Sequence, residues 1–265
     1  MPPRRTLGSI TVTALTDGEG PFFQPREETF PAATAEQWAA ADRRDPGAVT
    51  GDGRWWLPFR CFALRAADGP VTLVDAGIGP ADAPAASWAP VPGRLPAELA
   101  AAGIDPADVR TVVLTHLHTD HVGWAVVGTP WFPNADYLVQ RAELAALASV
   151  NPALEAGLVA PLRAAGQLRV LDGDTPLTPG VRVLSTPGHT PGHQSVLVDS
   201  GDERLLVTGD LLVHTVQLVD PDVAYAHEEQ PETARVSRAT LLRHLAARGP
   251  AALATPHLGE PFVAL

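Results

Sequence analysis

The chain has 265 residues, of which 45% are hydrophobic and 18% charged, enough apolar material for a large core and too much for a disordered chain. Its 19 basic residues are all arginine and face 30 acidic ones, a formal charge of −11; so acidic a chain is repelled by a phosphate backbone, which argues against nucleic-acid partners. Cys61 is the only cysteine, which excludes an internal disulfide and a cysteine-based zinc knuckle.

No apolar run of secretory length follows Met1-Pro-Pro-Arg-Arg5, and no stretch reaches the ~20 apolar residues of a membrane span. The expectation is a cytoplasmic protein without a membrane partner. Ile10 to Leu15 alternates as a strand does. From Gly18 to Arg54 the chain is rich in turn formers, with one short helix expected over Thr34 to Asp42, and it reads as a long surface excursion. Trp55 to Ala66 and Val71 to Val74 follow as strands joined by an Asp-Gly turn at Asp68 and Gly69. Leu95 to Ala102 is helical with Gly103 as its stop, and Thr111 to Leu114 is a buried strand.

Tyr137 to Val139 reads as a strand, Arg141 to Ser149 as a helix, and Pro161 to Ala165 as the end of another. Val181 to Leu184, Ser195 to Val198 and Leu205 to Val207 are short strands, Glu232 to Ala247 is the longest helix, and Ala251 to Ala254 is a last strand. Strands and helices mixed throughout, without a repeat or linker, predict one α/β domain over residues 1–265.

The chemistry concentrates in Thr115-His116-Leu-His118-Thr-Asp120-His121. Residues two apart on an extended chain share a side, so His116 and His118 can grip one cation together. Asp120 and His121 diverge where the chain turns, which suits a second cation nearby. Burying three histidines and an aspartate directly after an apolar strand is expensive without partners, and imidazole with carboxylate is a donor set for zinc, manganese, iron or cobalt. His189, Asp210 and His257 each lie just past a further short apolar strand, where open α/β sheets place their ligands.

This pattern resembles the metallo-β-lactamase superfamily from Val74-Asp75-Ala-Gly77 through His257. The resemblance implies an αββα sandwich of two mixed β-sheets flanked by helices, with two divalent metal ions, zinc foremost, along one edge. Carried over, His116, His118 and His189 would hold the first ion, Asp120, His121 and His257 the second, and Asp210 would bridge them. Asp75 and His193 would hydrogen-bond to these ligands and fix them. The implied activity is opening of a lactone or cleavage of an ester by a metal-bridging hydroxide, with Asp120 or Asp210 taking up the proton and phosphotriesters or aryl esters as secondary substrates.

By the resemblance, an aspartate at position 210 makes a β-lactamase the lesser expectation, and the eight-residue stretch after His257 does the same for a glyoxalase-like thioesterase. The alternatives are a redox enzyme with a single iron, as in sulfur dioxygenases, and thioesterase or β-lactamase activity on the same fold. Acyl-homoserine lactonases often carry a tyrosine where Val213 stands and an aromatic where Thr119 stands, so the two departures point to a broader lactonase or arylesterase. Val213 and His214 are candidates to face the substrate, with a core position the alternative for His214; His227 and His244 read as surface residues. Phe22, Phe23 and Trp124, ahead of Trp55, Trp56, Trp131 and Phe132, either line an apolar pocket for a hydrophobic acyl or aryl group or close the core beneath the long loop. A homodimer is expected by analogy alone.

Overall fold

A computed structural model describes every residue except Asp68, together with the side chain of Ser149; the expected turn at Asp68 and Gly69 therefore lies outside the described residues. In chain order the strands are β1 (Arg4–Leu7), β2 (Ile10–Pro25), β3 (Arg54–Ala66), β4 (Val71–Val74), β5 (Val109–Val113), a small hairpin of β6 (Val126–Val127) and β7 (Thr129–Pro130), then β8 (Asp136–Gln140) and β9 (Leu168–Leu171). The second half contributes β10 (Thr175–Thr178), β11 (Val181–Ser185), β12 (Gln194–Asp199), β13 (Arg204–Val207), β14 (Ala251–Ala254) and β15 (Phe262–Ala264). The helices are α1 (Arg26–Thr29), α2 (Ala35–Arg44), α3 (Leu95–Ala102), α4 (Thr119–Val122), α5 (Arg141–Val150), α6 (Pro152–Leu154), α7 (Ala160–Ala164), α8 (Val216–Val219) and α9 (Pro231–Ala247).

The strands form two large sheets, ordered β1-β2-β3-β4-β5-β8-β9 and β10-β11-β12-β13-β14-β15. Pairing is parallel along β4-β5-β8-β9 and between β13 and β14, and antiparallel elsewhere in both sheets. Alternate residues explain the layering. Val12 and Ala14 of β2, Phe62 and Leu64 of β3, Val196 and Val198 of β12, and Leu205 and Val207 of β13 pack together between the sheets. Their neighbours on the opposite faces meet helices: Cys61, Leu73 and Val112 meet Leu95 and Leu99 of α3, and Leu206 and Leu253 meet Leu242 and Leu245 of α9. Two mixed sheets sandwiched between helices are the αββα architecture implied by the resemblance. No single helix among the described residues is long and apolar enough to cross a membrane.

Segment 18–54 differs from expectation. Strand β2 continues to Pro25, pairing Gly18 with Phe59 and Pro21 with Trp56, and the rest folds into α1, α2 and a short 3₁₀ turn. Two things order it. Thr34 and Gln37 form a reciprocal capping box at the start of α2, with bonds of 2.8 and 3.2 Å, and Phe30, Trp38, Ala41 and Ala48 bury themselves against Trp55 and Leu57 in an aromatic cluster. Aromatics spaced through a turn-rich sequence supply the burial that repays the ordering entropy.

Asp17 shows what holds the loops above the sheets. It is completely buried and accepts from Ile78 N at 2.7 Å, Gly79 N at 3.4 Å, Leu95 N at 2.5 Å and Trp124 Nε1 at 3.1 Å. Burial pushes its carboxyl up, and these donors oppose the shift. Gly123 completes the packing, because a Cβ there would lie 2.3 Å from the Ile78 carbonyl carbon. Since each buried donor left unpaired costs ~1–3 kcal/mol, Asp17→Ala should lower unfolding stability by roughly 3–5 kcal/mol in denaturant titration, and Asp17→Asn by less.

Candidate metal centre

Four short loops converge on one edge of the sandwich. His116, His118, Asp120 and His121 follow β5, His189 follows β11, Asp210 follows β13 and His257 follows β14. Except for partly buried His118 they are buried. Nitrogen and oxygen atoms of His116, His118, His189 and Asp210 lie within 4.8 Å of one another, and so do those of Asp120, His121 and His257. His189 Nε2 is 3.0 Å from His118 Nδ1 and 3.2 Å from Asp210 Oδ2. Asp210 Oδ1 is 3.3 Å from both His121 Nε2 and His257 Nε2, while Asp120 Oδ2 is 3.4 and 3.5 Å from the same two nitrogens.

Outer hydrogen bonds aim the rings. His121 Nδ1 donates to Asp75 Oδ2 at 2.8 Å, His257 Nδ1 to Pro58 O at 2.8 Å, and His116 Nδ1 to Thr115 Oγ1 at 3.0 Å, whose hydroxyl donates on to Asp75 at 2.9 Å. Each bond leaves Nε2 facing the centre, as hydrogen bonds behind ligand imidazoles do. Asp75 takes a left-handed backbone, φ +64°, and also accepts from Thr115 N. His193 accepts from Asp210 N through Nε2 at 2.8 Å and donates through Nδ1 to Thr186 O at 3.0 Å; burial lowers it to about 4, so it is neutral there. Gly209, at φ +50°, allows this contact, since a Cβ would lie 2.7 Å from His193 Nε2.

The electrostatics call for positive charge. Burial pushes Asp210 up, yet His121, His257 and His189 hold it well below the usual carboxylate range. Burial pulls His116 and His189 well below the usual imidazole range. His121 goes the other way: against burial, Asp120, Asp210 and Asp75 hold it well above. Among the described residues His116 Nε2 and Asp210 Oδ1, both facing the centre, are buried without a hydrogen-bond partner, a costly state that cation coordination would relieve. The residues fit divalent cations with nitrogen and oxygen ligands.

The family profile of the metallo-beta-lactamase superfamily matches residues 56–257, which span every one of these side chains. The chain belongs to this superfamily. Among curated relatives, an N-acyl homoserine lactonase of Bacillus sp is 32% identical over 157 residues, 54% of this chain and 59% of that protein. The chain thus matches less than two thirds of that relative's length. Among solved structures, the superfamily hydrolase AbOPH superimposes with a TM-score of 0.79 at 26% identity, covering 99% of this chain and 96% of that one. AidC, a dizinc quorum-quenching lactonase in complex with a product, gives 0.78 at 21% identity over 99% and 96%.

A cleft of about 350 Å³ opens onto the centre, lined by Phe22, Phe23, Trp55, Leu57, Trp88, Asn151, Val213, Tyr225 and His227 besides the polar residues. Phe22, Phe23 and Val213 thus border the cleft. Trp124 does not line the cleft: its Nε1 is committed to Asp17 and its ring packs 5.4 Å from Trp131. His214 does not either. It is buried among Phe30, Trp38 and Trp55, with Nδ1 accepting from Val216 N, so its core alternative holds. His227, expected on the surface, is exposed but stands at the cleft mouth, donating to Gln24 Oε1 at 2.7 Å.

Sequence reasoning missed Trp88 and Tyr225. Trp88 Nε1 donates to Thr119 Oγ1 at 3.1 Å, placing an aromatic ring over the position where Thr119 lacks one. Tyr225 stacks on His189, ring centres 5.9 Å apart at 13°. Its loop is tied down by the buried Glu228, which accepts from Tyr225 N and from Arg238 at 2.7 Å. Also missed were Arg60, donating to the carbonyls of Thr255, Leu258 and Gly259 around His257, and Glu143. Buried Glu143 accepts from Leu117 N at 2.8 Å and Gly192 N at 3.0 Å, pinning the His116–His118 turn to the loop after His189. No local pattern announces such roles. Glu143→Ala should cost roughly 2–4 kcal/mol of stability, since two buried donors lose a charged acceptor, with Glu143→Gln recovering part of it in the same denaturant titration.

Proposed function

We propose that this chain is a metal-dependent hydrolase that opens acyl lactones, with His116, His118, His189 and Asp210 holding one divalent cation and Asp120, His121, His257 and Asp210 a second, zinc being the first candidate. The observation that carries the reading is the carboxylate of Asp210, whose two oxygens face the two histidine groups separately at 3.2 and 3.3 Å. Cations bound there would supply a lowered pKa of water, from ~15.7 toward about 7, and polarisation of a carbonyl.

The chain's own residues supply the rest. Asp120 borders the cleft beside His121 and His257; it takes the proton released as water attacks and delivers it to the ring oxygen as the lactone opens. Tyr225 borders the carbonyl side. Burial, with Asp210 and Asp120 nearby, pushes its phenol well above the usual range, so the proton stays on, and its hydroxyl has no hydrogen-bond partner among the described residues. It is placed to donate to the carbonyl oxygen as negative charge develops there. Phe22, Phe23 and Trp88 offer apolar surface to the acyl group and exclude water.

N-acyl homoserine lactones are the favoured substrates, because the similar Bacillus protein is named for them and Trp88 and Tyr225 supply the aromatic ring and phenol that positions 119 and 213 lack. Aryl esters present the same carbonyl electrophile and phosphotriesters a phosphoryl one that a metal can also polarise, and both are secondary substrates.

Protein purified without chelator should contain about two divalent cations per chain by elemental analysis and open N-acyl homoserine lactones in a pH-stat assay. Chelation should abolish turnover and zinc should restore it. His118→Ala should lower both metal content and turnover. Undiminished hydrolysis by the metal-free protein would overturn the reading, and a single iron with oxygen consumption would move it to redox chemistry. Tyr225→Phe keeps the stacked ring and removes the hydroxyl, so kcat should fall by roughly 10²-fold with KM little changed and metal content intact.

A further inference from the structure

Helix α9 packs on the outer face of the second sheet, and between them runs a groove of about 490 Å³ that shares no lining residue with the cleft. Ser237 marks one end, donating to Pro187 O at 2.7 Å in the loop that carries His189, and Arg204 marks the other, donating to Arg248 O at 2.6 Å. A helix rises ~1.5 Å per residue, so Ser237 and Arg248 stand roughly 16 Å apart along α9. Alternation turns Leu184 of β11 and Leu197 of β12 outward, where they join Leu241 and Leu245 of α9 in an apolar floor.

The far end is basic. Arg182 pairs with Leu197 and Arg204 with Asp199, positions two apart on β12, so the two arginines flank one strand on the same face. Arg204 is buried and its Nε–H makes no hydrogen bond, although Asp199 Oδ2 stands 3.3 Å away. Arg248 is exposed with no acid paired to it among the described residues, and Arg182 reaches only Asp174, at 3.7 Å. Three guanidinium groups thus share the lining with a single acid, Asp174, in a chain whose formal charge is −11.

We propose that this groove binds an amphipathic monocarboxylate, its tail over the leucines and its carboxylate between Arg182 and Arg248. Guanidinium groups hold a carboxylate by charge-assisted hydrogen bonds, whereas a fully polar anion leaves the leucine floor uncovered. A cavity of this size takes one small molecule. The site stands apart from the metal edge and does not depend on the reaction proposed there.

Calorimetric titration of the purified protein with octanoate tests it. Saturable binding is expected, with acetate and octan-1-ol each weaker by roughly tenfold or more, since each keeps only half of the recognition. Arg182→Ala combined with Arg248→Ala should weaken octanoate by roughly tenfold or more, and so should Thr240→Trp, which fills the groove from an exposed position. Arg204 and Ser237 stay in place, because each pins a backbone carbonyl. His118→Ala should leave the octanoate affinity unchanged, which separates the groove from carboxylate ligation at the metal edge. Binding lost in His118→Ala but kept in groove variants that melt with the wild type overturns the site, as does octan-1-ol binding as tightly as octanoate, or no saturable binding at all. A dimer in sedimentation analysis that Val236→Arg splits assigns the groove to a second copy of the chain and overturns it too.

Discussion

Two buried carboxylates set the terms for the rest of this molecule. Asp120 and Asp210 lie out of water within 3.5 Å of shared imidazole nitrogens, where unpaired charge is too costly to keep. Their surroundings answer with nitrogen donors and with further acceptors behind those donors. Asp75, Pro58 O and Thr115 orient three rings, and His193 fixes the backbone of Asp210. One layer further out, Arg60 gathers the carbonyls around His257 and Glu143 joins the turns of His116 and His189. The preorganisation of the centre is therefore distributed: its precision comes from buried polar groups that never reach it.

The cleft shows a different economy. Positions 119 and 213 carry a threonine and a valine, yet an indole and a phenol arrive from elsewhere in the chain. Trp88 reaches over from the segment before α3 and is held by Thr119 itself; Tyr225 comes on a loop clamped by Glu228 and Arg238. The surface offered to a ligand is thus set by side chains in space rather than by sequence position, and a departure at one site is offset by a contribution from another. Arg238, fully buried, also donates to the Val223 and Pro221 carbonyls, so α9 dictates where Tyr225 stands.

What the sequence made legible was local. Apolar strands ending in histidine or aspartate are visible by eye, and β14 and α3 fall on their expected residues, because alternation and caps depend only on near neighbours. Segment 18–54 was illegible for the opposite reason: its order comes from Phe30 and Trp38 meeting Trp55 and His214 across long sequence separations. The same limit left Trp124, whose partner is Asp17, open between cleft and core, and hid Glu143, whose partners are Leu117 and Gly192. A lone buried carboxylate in an unremarkable stretch gives no signal until the chain has folded around it.

The donors at the edge come from both layers of the sandwich. His116, His118, Asp120 and His121 hang from the first sheet, and His189, Asp210 and His257 from the second. An ion held by them would join the two layers, and its binding free energy would add to the resistance of the layers to parting. Loading and layer cohesion would then be linked: whatever separates the sheets would also weaken the ion's hold, and tighter ion binding would raise the temperature at which the layers separate.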